Sequence, residues 1–130
     1  MSFAKHPVWL VGFRPFFILS CLSGLTLPII WALMFAGALG LPYGRYSIVQ
    51  WHAHEMFFGF GGAILGGFLL TASKNWVAIR GYHGAVLAAL AGAWLLDRVA
   101  LAFGHDWPVP LFWLASSLFV CSFVAMVSAT

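Results

Sequence analysis

The sequence predicts an all-α integral membrane protein, a four-helix up-down bundle with both termini in the cytoplasm. Three observations carry that expectation. Of 130 residues, 63% are apolar and only 7% are charged, against roughly 45–50% and about 25% in soluble domains. Mean hydropathy is +0.99. The apolar residues fall into four long runs parted by short, turn-rich loops. A soluble domain of this length has too much surface for its volume to hide so many apolar side chains. Soluble enzyme, nucleic-acid binder and disordered tail are thereby excluded. The net charge of +3 comes from six scattered Lys and Arg, not from the clustered basic surface that nucleic acid requires.

The chain reads as a single membrane module over residues 1–130, with spans at about 13–39, 48–73, 82–103 and 108–129. Each exceeds the roughly 20 residues that cross a hydrocarbon core. In lipid, continuous spans must be helices, because no water is present to satisfy the backbone. The first span is too long for a signal-peptide core, and no A-x-A-like cleavage site follows it. Pro15 stands at its start, where a helix tolerates proline; Pro28 lies inside and predicts a kink with a freed carbonyl. The loops Gly40 to Gly44, Asn75 to Gly81 and Gly104 to Pro108 carry turn residues and are short enough to make neighbouring spans antiparallel.

Orientation follows from the basic residues. Lys5, Arg14, Lys74 and Arg80 fall at one end of the bundle, and Arg45 alone falls at the other. The first end is therefore expected in the cytoplasm. Three of the five histidines (His52, His54 and His105) and all three acids (Glu55, Asp97 and Asp106) gather at the opposite, outer end. Cys21 and Cys121, a hundred residues apart in apolar runs, read as packing residues rather than a disulfide.

Candidate site residues cluster where the second span begins, in Trp51-His52-Ala53-His54-Glu55-Met56. At about 100° per residue, His52 and His54 point roughly 200° apart, whereas Glu55 and Met56 fall within about 60° of His52. Gly59, Ala63 and Gly66 continue the His52 stripe. Ionisable groups in a span are costly and are kept for pairing or function. Neutral imidazole serves as an axial haem ligand or a copper ligand, so His52 and His54 are candidate metal ligands. Glu55 is a candidate ligand, an acceptor for an imidazole N–H or a proton carrier, and Met56 a candidate thioether donor. The competing reading is a polar interfacial belt anchored by Trp51. Asp97 and Arg98 are neighbours that diverge on a helix and need not pair. Arg98 is expected to meet Glu55, a haem propionate or a lipid phosphate, or to snorkel to the interface. The glycine stripe suits close helix packing, or the flat face of a porphyrin. No nucleophile–base triad, phosphate loop, CxxC or Hx₃H motif is present.

Three segments together carry a resemblance: Gly12-Phe13-Arg14-Pro15-Phe16-Phe17, the Trp51 to Met56 run, and Gly67-Phe68-Leu69-Leu70-Thr71-Ala72 followed by Asn75-Trp76. Their order and spacing resemble the N-terminal portion of the NnrS family of bacterial inner-membrane proteins. Lys74 and Asp97 depart from the pattern usual there. The resemblance implies a multi-pass protein of the bacterial cytoplasmic membrane that binds haem b and copper and serves nitric oxide metabolism or the nitrosative stress response. His52, His54 and Glu55 occupy the family's histidine motif, and Arg14 its N-terminal arginine. Members of the family are longer, so this chain is expected either to assemble with other subunits or to be a fragment. The alternative function is a non-catalytic accessory subunit of a larger membrane complex, and a third is a half-transporter in which Glu55 and Asp97 relay protons. Expected partners are membrane lipid and a homo-oligomer or larger membrane assembly, with no nucleic acid.

Overall fold

A computed structural model describes residues 6–40, 45–76, 78 and 81–129. Among them there is no strand, and four helices are long and apolar enough to cross a membrane. The first is α1, Phe13–Phe35. The second, Ile48–Trp76, has three parts: α2 (Ile48–His54), a π-helical segment (Glu55–Gly61) and α3 (Gly62–Trp76). The third is α4, Ala85–Phe103, which a 3₁₀ turn extends to Asp106, and the fourth is α5, Val109–Ser128. This is a multi-pass membrane protein. Lys5, Arg80 and most of the loop expected around Pro42 lie outside the described residues.

The span edges differ from hydropathy where backbone chemistry intervenes. Apolar character continues to Leu39, but α1 stops at Phe35 because Gly37 takes the left-handed conformation, φ 71°. Ala38 N–H then bonds Leu33 O at 2.9 Å and Gly37 N–H bonds Met34 O at 3.1 Å, a Schellman stop that spends the last free carbonyls. The second span opens on a capping box: Gln50 N–H donates to Ser47 Oγ, and Ser47 N–H to Gln50 Oε1. The third span starts three residues later than hydropathy places it, at Ala85, after Gly84 turns at φ 63°. Pro28 leaves α1 continuous, and the ring of Phe60 packs at Gly24, the residue whose carbonyl Pro28 cannot pair.

Hydrogen bonds at both ends hold the antiparallel arrangement. At one end Gly84 N–H donates to Trp9 O at 2.7 Å, and Phe13 N–H to Thr71 Oγ1 at 3.0 Å. At the other end Arg45 donates to Trp107 O and lies over the Phe112 ring, 5.0 Å from its centroid.

The expected glycine stripe is used inside the chain. Side chains added at Gly66 and Gly67 would meet Phe16, Phe17 and Phe119, at Gly67 as close as 2.9 Å, and one at Gly62 would meet Phe119 at 3.2 Å. Aromatic rings from α1 and α5 therefore lie on the glycines of α3, and the flat wall expected to receive a porphyrin is filled. Two apolar clusters result. One is built on Phe16, Ala63, Leu87, Leu90, Trp94 and Phe119, the other on Leu27, Trp51, Ala100, Leu101, Phe112 and Ala115. Trp51 belongs to the second, only 8% exposed, so it is a core residue and not an interfacial anchor. The outward faces of all four spans carry large apolar side chains such as Leu25, Phe57, Phe68, Leu95 and Leu114, as contact with lipid requires.

Candidate functional site

Between the two apolar clusters lies a buried charged group. Arg98 of α4 points its Nε at Glu55 Oε2, 2.8 Å away, and its Nη2 contacts Asp97 Oδ2. Glu55 and Asp97 are each 1% exposed. The expectation that Asp97 and Arg98 diverge fails because the long arginine stem folds back along the helix. Arg98 does not snorkel, and with two carboxylates already on its guanidinium it is not free for a propionate. Its guanidinium carbon also sits 4.9 Å from the centroid of the Trp94 ring, a cation–π contact one turn back along α4.

The π segment makes this approach possible. Its i→i+5 pattern loosens the helical ladder and leaves carbonyls available. Two of them are used by α4: Arg98 Nη1 donates to Phe58 O at 3.3 Å, and Trp94 Nε1 to Gly59 O at 3.0 Å. A Cβ at Gly59 would lie 2.6 Å from Glu55 Oε2 and 3.4 Å from Arg98 Nη1, so a side chain there would force the ion pair to shift.

The two imidazoles face different surroundings. His52 stacks on Trp31 of α1, ring centroids 4.3 Å apart and planes inclined 23°. His54 lies 4.8 Å from the Phe58 ring and 6.0 Å from that of Tyr46. Glu55, expected on the His52 face, reaches Arg98 of α4. Gly59, Gly66 and Ala63 likewise face the core rather than extending a His52 wall. Met56 packs against the cluster around Leu27 and Trp51, as does Met34. Arg14 Nη1 donates to Pro7 O at 2.9 Å and serves the N-terminal turn at the far end of the bundle. His6 and His83 are exposed, and Cys21 and Cys121 are unpaired and face outward.

Among the described residues no three His, Cys, Asp or Glu side chains converge on a point that a metal ion could occupy. His52, His54 and Glu55 therefore do not form one joint site within the chain. Each imidazole nevertheless has a buried Nδ1 without a hydrogen-bond partner, a costly state for a polar atom at this depth. Sequence reasoning passed over Trp94, although it stands four residues before Arg98, the spacing at which helical side chains meet, and took Gly59 only as part of the His52 stripe. Trp31, which holds His52, carried no signal in the sequence beyond its place in an apolar run.

Neither curated proteins nor solved structures give a match. A sequence model described as NnrS protein matches residues 7–130, nearly the whole chain. The chain belongs to the NnrS family.

Proposed function

We propose that this chain is a haem-binding module of the bacterial cytoplasmic membrane, working in nitric oxide metabolism or the nitrosative stress response, with His52 as the ligand to haem b. The observation that carries the reading is the His52 ring itself. It is fixed by stacking on Trp31 and retains a buried nitrogen with no partner, the state an imidazole leaves when it binds iron. Haem iron, when bound, offers a coordination position for nitric oxide. The protein's part is to orient the imidazole through Trp31, which packs with Ile30, Met34 and Met56 against one apolar cluster.

Copper fits this chain less well. A copper site draws on two or more converging donors, and the imidazoles of His52 and His54 face different neighbours. We orient both termini toward the cytoplasm, a reading that the distribution of Lys and Arg supports.

A second reading, a subunit of a larger membrane assembly, draws support from an apolar groove between α4 and α5. Ala89, Ala93, Leu118 and Ser122 line it, and a side chain added at nearby Gly92 would meet nothing within 4 Å. A helix from a second copy of this chain is its proposed occupant.

Purification from bacterial membranes, with haem and copper determined per chain and nitric oxide added to the reduced protein, tests the main reading. A Soret band that shifts with nitric oxide supports it. A colourless protein that takes up no added haem defeats it.

A further inference from the structure

Two of the segments that carry the family resemblance meet at the end of the bundle opposite His52. There a cavity of about 200 Å³ opens between the 3₁₀ turn Pro7–Leu10, the end of α3 and the residues leading into α4. Leu10, Gly12, Lys74, Asn75, Tyr82 and His83 line it, and its volume is many times that of one water molecule. Tertiary contacts fix its walls. A Cβ at Gly12 would lie 2.9 Å from Leu70 Cβ, so the N-terminal turn is pressed onto α3. Phe13 N–H donates to Thr71 Oγ1, and Gly84 N–H donates to Trp9 O, tying the same three elements together.

The lining supplies donors and no acid. Lys74 brings an ammonium and Asn75 an amide. His83 donates from Nδ1 to Gly81 O at 3.0 Å, which leaves Nε2 for another partner. The stem of Lys74 lies across Gly81, where a Cβ would come within 2.7 Å of Lys74 Cδ. Lys74 is half-buried, and among the described residues no ion pair includes it. No Asp or Glu can reach it, because Glu55, Asp97 and Asp106, the three acids of the sequence, all lie at the other end. A half-buried cation with no counter-charge in its own chain calls for an anion from outside. Lys74 also departs from the pattern usual in the family, so this charge is a feature of this chain.

The depth of the cavity narrows the choice of anion. Trp76 ends the second span and Ala85 begins α4, so the cavity lies where apolar spans give way to the headgroup region. Trp76 and Leu10 are both exposed, and place aromatic and apolar surface beside the donors. Basic pockets between spans at that depth receive phosphate headgroups.

We propose that the cavity lined by Lys74, Asn75 and His83 binds one phosphate group, that of an anionic phospholipid in the adjoining leaflet. Lys74 supplies the charge, Asn75 and His83 supply hydrogen bonds, and Leu10 offers apolar surface to the acyl chains. The site depends neither on haem nor on which side of the membrane this end faces.

Native mass spectrometry of the full chain in mild detergent, with phosphatidylglycerol or phosphatidylcholine added, counts the lipid retained. Thermal midpoints in phosphatidylcholine nanodiscs, with phosphatidylglycerol or inorganic phosphate added, separate a lipid from a free ion. One phosphatidylglycerol per chain is expected, preferred over phosphatidylcholine by roughly fivefold or more. Lys74→Gln should lose that preference. Arg14→Gln, which removes the same charge from the same end outside the cavity, should keep it. Equal retention of the two lipids overturns the proposal. So does equal loss in the two variants, which would show diffuse attraction and no site. Inorganic phosphate that raises the midpoint as far as phosphatidylglycerol does would assign the cavity to a free ion and overturn the lipid.

Discussion

The guanidinium of Arg98 and the carboxylate of Glu55 meet at 2.8 Å across a helix pair whose sequences lie more than forty residues apart. The contact joins the WHAHEM run to α4 and depends on a π turn at that point in the second span. Breaking one partner of such a buried pair leaves the other uncompensated, and typically costs about 3–5 kcal/mol.

Arg98→Met is therefore expected to lower stability in detergent by an amount of that order, because it strands two carboxylates. Adding Glu55→Gln and Asp97→Asn to Arg98→Met is expected to recover much of the loss. A triple variant no more stable than Arg98→Met would show that the damage came from lost packing instead. The measurement is thermal unfolding of the purified variants.

Gly59, Gly67 and Gly92 sit in different surroundings and separate by the same substitution. Gly67→Ala places a methyl 2.9–3.1 Å from Phe16 and Phe17, and overpacking of that kind costs about 1–3 kcal/mol. Gly59→Ala intrudes on Glu55 Oε2 and is expected to be at least as damaging. Gly92→Ala meets nothing and is expected to be neutral or to gain up to about 1 kcal/mol in helix propensity. Equal effects at all three would contradict the packing described above.

Thr71 ties two of the segments that carry the family resemblance. Its hydroxyl accepts from Phe13 N–H at 3.0 Å and donates to Gly67 O at 2.9 Å. Thr71→Val keeps the shape and removes both bonds. A loss of about 0.5–1.5 kcal/mol is expected, since the Phe13 N–H loses its side-chain partner. Amide exchange at Phe13 should rise in the variant, and unchanged exchange there would deny the tie.

Tyr46 lies ahead of the second span, and its phenol is raised above the ordinary value near 10, chiefly by burial and then by the Asp97 carboxylate, while Arg45 opposes. An acid whose folded value is raised contributes stability below its unfolded value and loses it as pH climbs through the folded one. Wild-type stability is therefore expected to fall more steeply than that of Tyr46→Phe above roughly pH 10. Parallel curves for the two proteins would rule out this burial of the phenol.

Hydropathy alone was enough to give four spans, because lipid leaves the backbone no other solution. It could not place the ends at Phe35 and Ala85, which Gly37 and Gly84 decide by their φ angles. The π segment had no legible signal: EMFFGFG reads as an ordinary apolar helix, and only tertiary contacts to Trp94 and Arg98 reveal the change of pitch. Beyond Glu55 the π-helical residues do not keep the 100° step, and Gly59, Ala63 and Gly66 face the core instead of extending a His52 stripe. The divergence of His52 and His54 was legible because both precede the π turn, and their surroundings do differ, Trp31 for one and Phe58 with Tyr46 for the other. The meeting of Arg98 with Glu55 was among the expected options, since chain order put them at one level. The pairing of Arg98 with Asp97 was not expected, because a wheel treats side chains as spokes and ignores how far an arginine can fold back.

The basic residues place the chain's orientation on a testable footing. A reporter fused after residue 130 is expected to be cytoplasmic, since Lys74 and Arg14 lie at the same end as the C-terminus of α5. A periplasmic signal there would put His52, Glu55 and Arg98 on the cytoplasmic side instead.

The central claim, that His52 holds haem while His54 does not, is tested most directly by the Soret absorbance per chain of His52→Ala and His54→Ala, purified beside the wild type. The stacking of His52 on Trp31 and the separate aromatic surroundings of His54 predict that His52→Ala loses the band and His54→Ala keeps it. Full haem retention in a folded His52→Ala protein, or equal loss in both variants, would contradict the assignment.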